Sequence, residues 1–357
     1  MATKTVSGYH DEAIAVNASG NTWRLIENAT IVSNDFGFSV AVGASNNRFD
    51  IAGHIQAGTG INGLAPRMSV DIRDTGSIYA ANGISMQGTG RFVADIDGTI
   101  DATQSAVMSL AAINEVTLGA SGSLSGVHGL YITGGTSLAA RIDGDIDAIQ
   151  YGVSAAADEA TIVVGRQASI EGQYGVYSAS LYSEISNQGE INGFIGISAT
   201  GDDSRIVNGA FGVIRGTQYG IGLTTATGED FTIVNHGTLA SSAAGAAISC
   251  GFGDEALRND GRLLGNVYLN DGNDLLDTRG GTVSGLIYGF NGDDTLVTDR
   301  AAYKLLENGG QGTDTVKSTV TYTLSANVER LFLLGGKDID GTGTALADIL
   351  HGNAGNN

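Results

Sequence analysis

The chain has 357 residues, of which 55 are Gly, one is Pro and 6 % are aromatic, and its formal net charge is −20. That charge repels DNA, RNA and anionic membrane surfaces, and the abundance of Ile and Val argues against a disordered chain. Gly without a three-residue period excludes collagen, a single cysteine (Cys250) excludes an intrachain disulfide, and no run of 18 apolar residues exists to span a membrane.

The chain opens on Met1-Ala2-Thr3-Lys4-Thr5-Val6, which has no apolar signal core, and residues 1–20 read as an N-terminal cap. A short phrase then repeats: Gly-x-Ile or Gly-x-Leu, followed some six residues later by Gly-Ile or Gly-Val. It occurs at Gly53, Gly76, Gly98, Gly122, Gly144, Gly189, Gly212, Gly237 and Gly261, with Ala168-Ser169-Ile170 filling the one gap. The apolar residues after these glycines form one column: Ile31, Ile55, Ile78, Ile100, Leu124, Ile146, Ile170, Ile191, Ile214, Leu239, Leu263, Val283. A second column runs from Phe38 through Ile61 and Ile84 to Ile221, and a third from Leu25 through Ile51 and Ile72 to Leu257. A period in this range marks stacked coils rather than an ordinary globular domain. Three columns predict three short strands per coil, and alternation as in Ser69-Val70-Asp71-Ile72 puts every second side chain inward. The prediction for residues 21–265 is an all-β, right-handed parallel β-helix, a solenoid of roughly twelve coils on the order of 55 Å long.

Within this region two phrases carry paired carboxylates, Ile96-Asp97-Gly98-Thr99-Ile100-Asp101 and Ile142-Asp143-Gly144-Asp145-Ile146-Asp147. Asp97 and Asp143 should point outward, two coils and roughly 10 Å apart, with Arg141 nearby. Such a face could hold calcium or a polymer, or flank a scissile glycosidic bond, although it also reads as a solvated surface. Gln150-Tyr151-Gly152, Gln173-Tyr174-Gly175 and Gln218-Tyr219-Gly220 occupy matching positions, and their rings are expected to stack on one another more readily than on sugar rings. His10, His54, His128, His236 and His351 fall in separate coils with no pair at ligand spacing. Cys250 reads as a small buried thiol.

From residue 266 the corners become acidic. Asn270-Asp271-Gly272-Asn273-Asp274, Phe290-Asn291-Gly292-Asp293-Asp294 and Gly310-Gln311-Gly312-Thr313-Asp314 recur every twenty residues, each with an apolar residue two positions after its last Asp. Ca²⁺ takes six to eight hard oxygen ligands, and a Gly-rich turn can aim backbone carbonyls at one point while Asp supplies charge.

The phrases around Ile185-Ser186-Asn187 and Ile233-Val234-Asn235 resemble the passenger β-helices of bacterial autotransporters and large adhesins. The acidic turns resemble the nonapeptide Gly-Gly-x-Gly-x-Asp-x-(apolar)-x of the RTX, or haemolysin-type, calcium-binding family. That resemblance implies a β-roll-like calcium-binding region over 266–357. It implies Asp274, Asp294 and Asp314 as side-chain ligands, with carbonyls near Gly272, Gly292 and Gly312. Asp271, Asn291, Asp293 and Gly310, in the same turns, complete the set of candidate metal-site residues. The family repeats every nine residues on both edges of a coil, whereas here one edge is acidic and the other, near Arg279-Gly280-Gly281, is not, so about two sites are expected. Asn357 stands where a further motif would carry Asp, so the natural chain is expected to continue. Type I secretion without an N-terminal signal is what the resemblance implies.

The expected function is that of an extracellular, calcium-binding structural or adhesive solenoid. Calcium would order its C-terminal coils, and cell-surface or matrix polysaccharide would be its partner. The alternatives are a polysaccharide-active enzyme using the Asp97, Asp143 and Arg141 face, or a non-catalytic segment of a larger secreted enzyme.

Overall fold

A computed structural model describes residues 2–201, 203–224, 230–242 and 245–357. Every regular element among them is a β-strand, paired in parallel and stacked coil on coil into a solenoid of about fifteen turns rather than a barrel. Contacts divide the chain into two compact units, Met1–Ile185 with Gly189–Gly193, and Ser186–Gln188 with Phe194–Asn357.

In the first unit the predicted columns are the core. Ile31, Ile55, Ile78, Ile100, Leu124, Ile146, Ile170 and Ile191 are consecutive register partners, each at most 1 % exposed. Phe38, Ile61, Ile84, Val107, Leu130, Val153 and Val176 form the second ladder. Val6, Leu25, Ile51, Ile72, Ile96, Leu118, Ile142 and Val164 form the third. One coil cannot bury these side chains; stacking buries each between its neighbours, at about 1.5–3 kcal/mol apiece. The glycine of the Gly-Ile phrase has a steric cause. At Gly83 a β-carbon would collide with the Ile100 side chain of the next coil and with a backbone carbonyl. Residues 3–16 already form coil structure, with Thr3 to Val6 registered on Thr22 to Leu25 and Ile14 on Phe38.

In the second unit the ladders resume as Ile214, Leu239, Leu263, Val283, and as Ile206, Ile233, Leu257, Leu276, Leu296, Val316, Leu331, Leu350. A buried amide ladder runs beside them. Asn187 donates to Asn208 at 2.9 Å, Asn208 to Asn235 at 2.9 Å, and Asn235 to Asn259 at 2.7 Å. Each amide also needs its second donor or its acceptor satisfied, and Asn208 bonds the Gly212 carbonyl at 3.1 Å.

Candidate metal centre

The acidic turns stack on one edge of the second unit. Gly272, Gly292 and Gly312 have φ of 125°, 124° and 156°, and a β-carbon at each would collide with the glycine carbonyl one coil below. The residue two places before each of these glycines sits in the left-handed region: Asn270 at 73°, Phe290 at 74°, Gly310 at 84°. Asn and Gly adopt this conformation readily; Phe290 does so at a cost of about 1–3 kcal/mol.

Turn backbones cannot pair fully from coil to coil, and side-chain carboxylates take over. Asp274 Oδ1 accepts the Glu255 N–H at 2.6 Å, Asp294 Oδ1 the Asp274 N–H at 2.8 Å, and Asp314 Oδ1 the Asp294 N–H at 2.9 Å. Glu329 Oε2 continues the series, accepting from Asp314 N–H at 2.9 Å. One position earlier, Asp254 accepts from Asn273, Asn273 from Asp293, and Asp293 from Thr313, at 2.7–2.8 Å. Asp271 and Asn291 lie two positions earlier still, where Asn291 donates to Asp271 at 2.6 Å and Gln311 to Asn291 at 3.0 Å.

Each inner carboxylate thus spends one oxygen on the backbone. The other oxygens of Asp274 and Asp294, and both of Glu255 and Glu307, are buried with no well-formed hydrogen bond. Asp274, Asp294 and Asp314 are 1 %, 0 % and 2 % exposed. Asp294, Glu307 and Asp314 each place a carboxylate oxygen within 4.8 Å of the other two, and among the described residues they are the one such group of three. Gly289 makes room for it, since a β-carbon there would collide with Glu307 Oε1 and crowd Asp294 Oδ2.

Burial dominates the electrostatics. It pushes the carboxyls up, Asp294 to about 7, Glu307 to about 8 and Asp314 to about 6, with neighbouring carboxylates adding repulsion. Desolvation also raises Asp274 and Glu255, one and two coils from Asp294. Such groups favour a shared proton or a cation. The donors are all hard oxygens, so Ca²⁺, Mg²⁺ or Mn²⁺ fits where thiophilic metals do not.

Of the residues expected to bind calcium, Asp294 and Asp314 converge. Asp274 occupies the same row but lies outside the triad. Asp271, Asn291 and Asp293 serve the hydrogen-bond rows along the turn, and Gly272, Gly292, Gly310 and Gly312 shape the backbone. Three participants escaped the sequence reading. Glu255 belongs to a fourth turn, Gly251-Phe252-Gly253-Asp254-Glu255, legible as Gly253 nineteen residues before Gly272. Glu329 follows Asp314 by fifteen residues, because that coil is short. Glu307 has no local signal: the pairs Ile287 with Leu305 and Tyr288 with Leu306 carry it alongside Gly289.

Arg141 is committed to Asp143 through contacts of 2.7 and 3.0 Å. Asp97 lies two coils away, its carboxylate folded over Gly119, as that of Asp143 folds over Gly165. Tyr151 stacks on Tyr174 at 5.4 Å and 26°, and His128 and Tyr131 extend the stack, so these ring faces cover one another. Burial lowers the pKa of His128. His236 meets Asp260 at 2.6 Å, and His351 stacks on Phe332. Cys250 is buried, and desolvation pushes its thiol well up, which suits an inert core group.

Comparison with family models, with characterised proteins and with solved structures finds no match to this chain. Fold and side-chain chemistry therefore carry the functional argument.

Proposed function

We propose that this chain is a scaffold solenoid whose C-terminal coils bind a divalent cation, calcium in its working environment, through Asp294, Glu307 and Asp314. The observation that carries the reading is the convergence of three carboxylates within 4.8 Å, of which Asp294 and Asp314 are buried and Asp294 and Glu307 hold unpaired oxygens. When bound, the cation supplies the positive charge that these groups lack; no reaction is required of it. Calcium is favoured over magnesium because the triad is built on turns of irregular geometry, and Ca²⁺ tolerates irregular shells of six to eight oxygens whereas Mg²⁺ demands an octahedron. The turn phrases that resemble RTX repeats support an extracellular structural or adhesive role with type I secretion, a setting in which millimolar calcium would fill the site.

The test is titration calorimetry of chelator-stripped protein with CaCl₂ and MgCl₂, paired with terbium luminescence sensitised by the neighbouring Tyr288. Calcium should bind with a stoichiometry near one, and D294N should weaken it at least tenfold. Absence of calcium binding by the unmodified protein would sink the proposal.

A further inference from the structure

The outer face of the first coils departs from the acidity of the rest of the chain. Six of the eighteen Lys and Arg, but only nine of the 38 Asp and Glu, lie in the first hundred residues. Most of these arginines are matched. Asp50, 6 % exposed, accepts Arg24 Nε at 2.9 Å and Arg73 Nε at 2.8 Å. Asp71 meets Arg48 at 2.8 Å and Arg73 at 3.0 Å. Arg91 donates to both oxygens of Glu115 at 2.7 Å.

Arg67 is the exception. Among the described residues its guanidinium has neither an ion pair nor a side-chain hydrogen bond. It stands beside Arg91, its register partner on the adjacent strand, and like charges so placed repel. The unmatched charge opens on a groove of about 600 Å³ within the first unit. Asn46 and Ser69 give the groove polar walls, and Met68, Val93 and Ile113 give it apolar ones.

We propose that this groove binds an acidic sugar, a glycan residue bearing a single carboxylate, and that Arg67 is the ligand of that carboxylate. One unmatched guanidinium pairs one carboxylate, and its planar fork suits bidentate contact. A polyanion is disfavoured by the net charge of −20. Asn46 and Ser69 offer hydrogen bonds to sugar hydroxyls, while the apolar wall faces the C–H surface of a ring. The volume falls within the range of small-ligand sites, roughly 300–1,000 Å³. This site is separate from the metal centre and goes beyond the scaffold reading.

The experiment uses the full chain and saturation-transfer difference NMR, with calorimetry for affinity. The probes are the methyl glycoside of N-acetylneuraminic acid and galacturonic acid, with methyl galactoside and acetate as controls, each with and without chelator. Both acidic sugars should bind better than either control, R67Q should weaken them about tenfold or more, R67K should retain part of the affinity, and chelator should change nothing. Since Arg67 is exposed and makes no side-chain contact of this kind, R67Q should fold, which circular dichroism checks. The proposal is overturned if neither acidic sugar binds, if acetate or the neutral sugar binds as well, if R67Q binds undiminished, or if chelator abolishes binding. The last outcome would move the site to the metal centre without touching the calcium reading, which terbium reports independently.

Discussion

Asp294 has two tasks, one for each oxygen. Oδ1 accepts the Asp274 N–H, and Oδ2 lies unpaired beside Glu307 over Gly289. Asn keeps the first task and removes the charge. D294N should therefore raise the metal-free thermal midpoint of the second unit at pH 7.5 while weakening calcium at least tenfold; a fall in both would show that the carboxylate is needed for packing alone. The shift of this carboxyl from 3.8 to about 7 corresponds to an unfavourable term on the order of 4 kcal/mol above pH 7. Gly289→Ala tests the space rather than the charge. Its methyl group would take the room that Glu307 Oε1 occupies, so calorimetry should show calcium affinity reduced at least tenfold. An unchanged affinity would place the cation elsewhere.

At the scale of the element, the stacked turns behave as one titrating unit. Asp294, Glu307 and Asp314 have folded-state pKa values above their unfolded ones, so the folded coils hold more protons. Their contribution is most favourable below about pH 4 and is lost as pH rises to about 8. In chelator, the melting temperature of the second unit should fall between pH 5 and pH 8; with calcium that fall should flatten or reverse, because deprotonation then favours binding. Differential scanning calorimetry across the range decides it, and a chelated midpoint that rises with pH would contradict the raised values. The amide ladder is a different device, neutral and insensitive to metal. Asn208→Ala strips partners from buried Asn187 and Asn235 and should cost about 2–3 kcal/mol in urea unfolding, with or without calcium. Predicting these elements from sequence depended on periodicity. The Gly-x-Ile phrase exposed the apolar ladders, and the twenty-residue spacing exposed three acidic turns. Glu255 was missed because Glu stands where the pattern has Asp, and Glu329 because its coil is five residues shorter.

Across the whole molecule, two stabilising devices are divided along the chain. The first unit rests on apolar ladders, an aromatic cluster in which Phe38 packs on Trp23 at 6.2 Å and Phe49 at 5.1 Å, and surface ion pairs. The second adds amides and buried carboxylates. Hydrogen-exchange mass spectrometry in chelator should therefore show faster exchange over 266–333 and unchanged protection over 22–164, and equal loosening of both would refute the division. The solenoid is legible in the amino-acid order alone, because each ladder residue repeats at coil spacing and burial of Ile, Leu and Val depends only on that period. So is the acidity of one corner. Which acids meet depends on the folded register. Glu307 joins Asp294 because neighbouring coils align Leu305 with Ile287 and place it beside a glycine, a coincidence of register that no local pattern encodes. In the same way the contrast between Arg67, unmatched, and its register partner Arg91, paired with Glu115, is a matter of side-chain reach across coils rather than of composition.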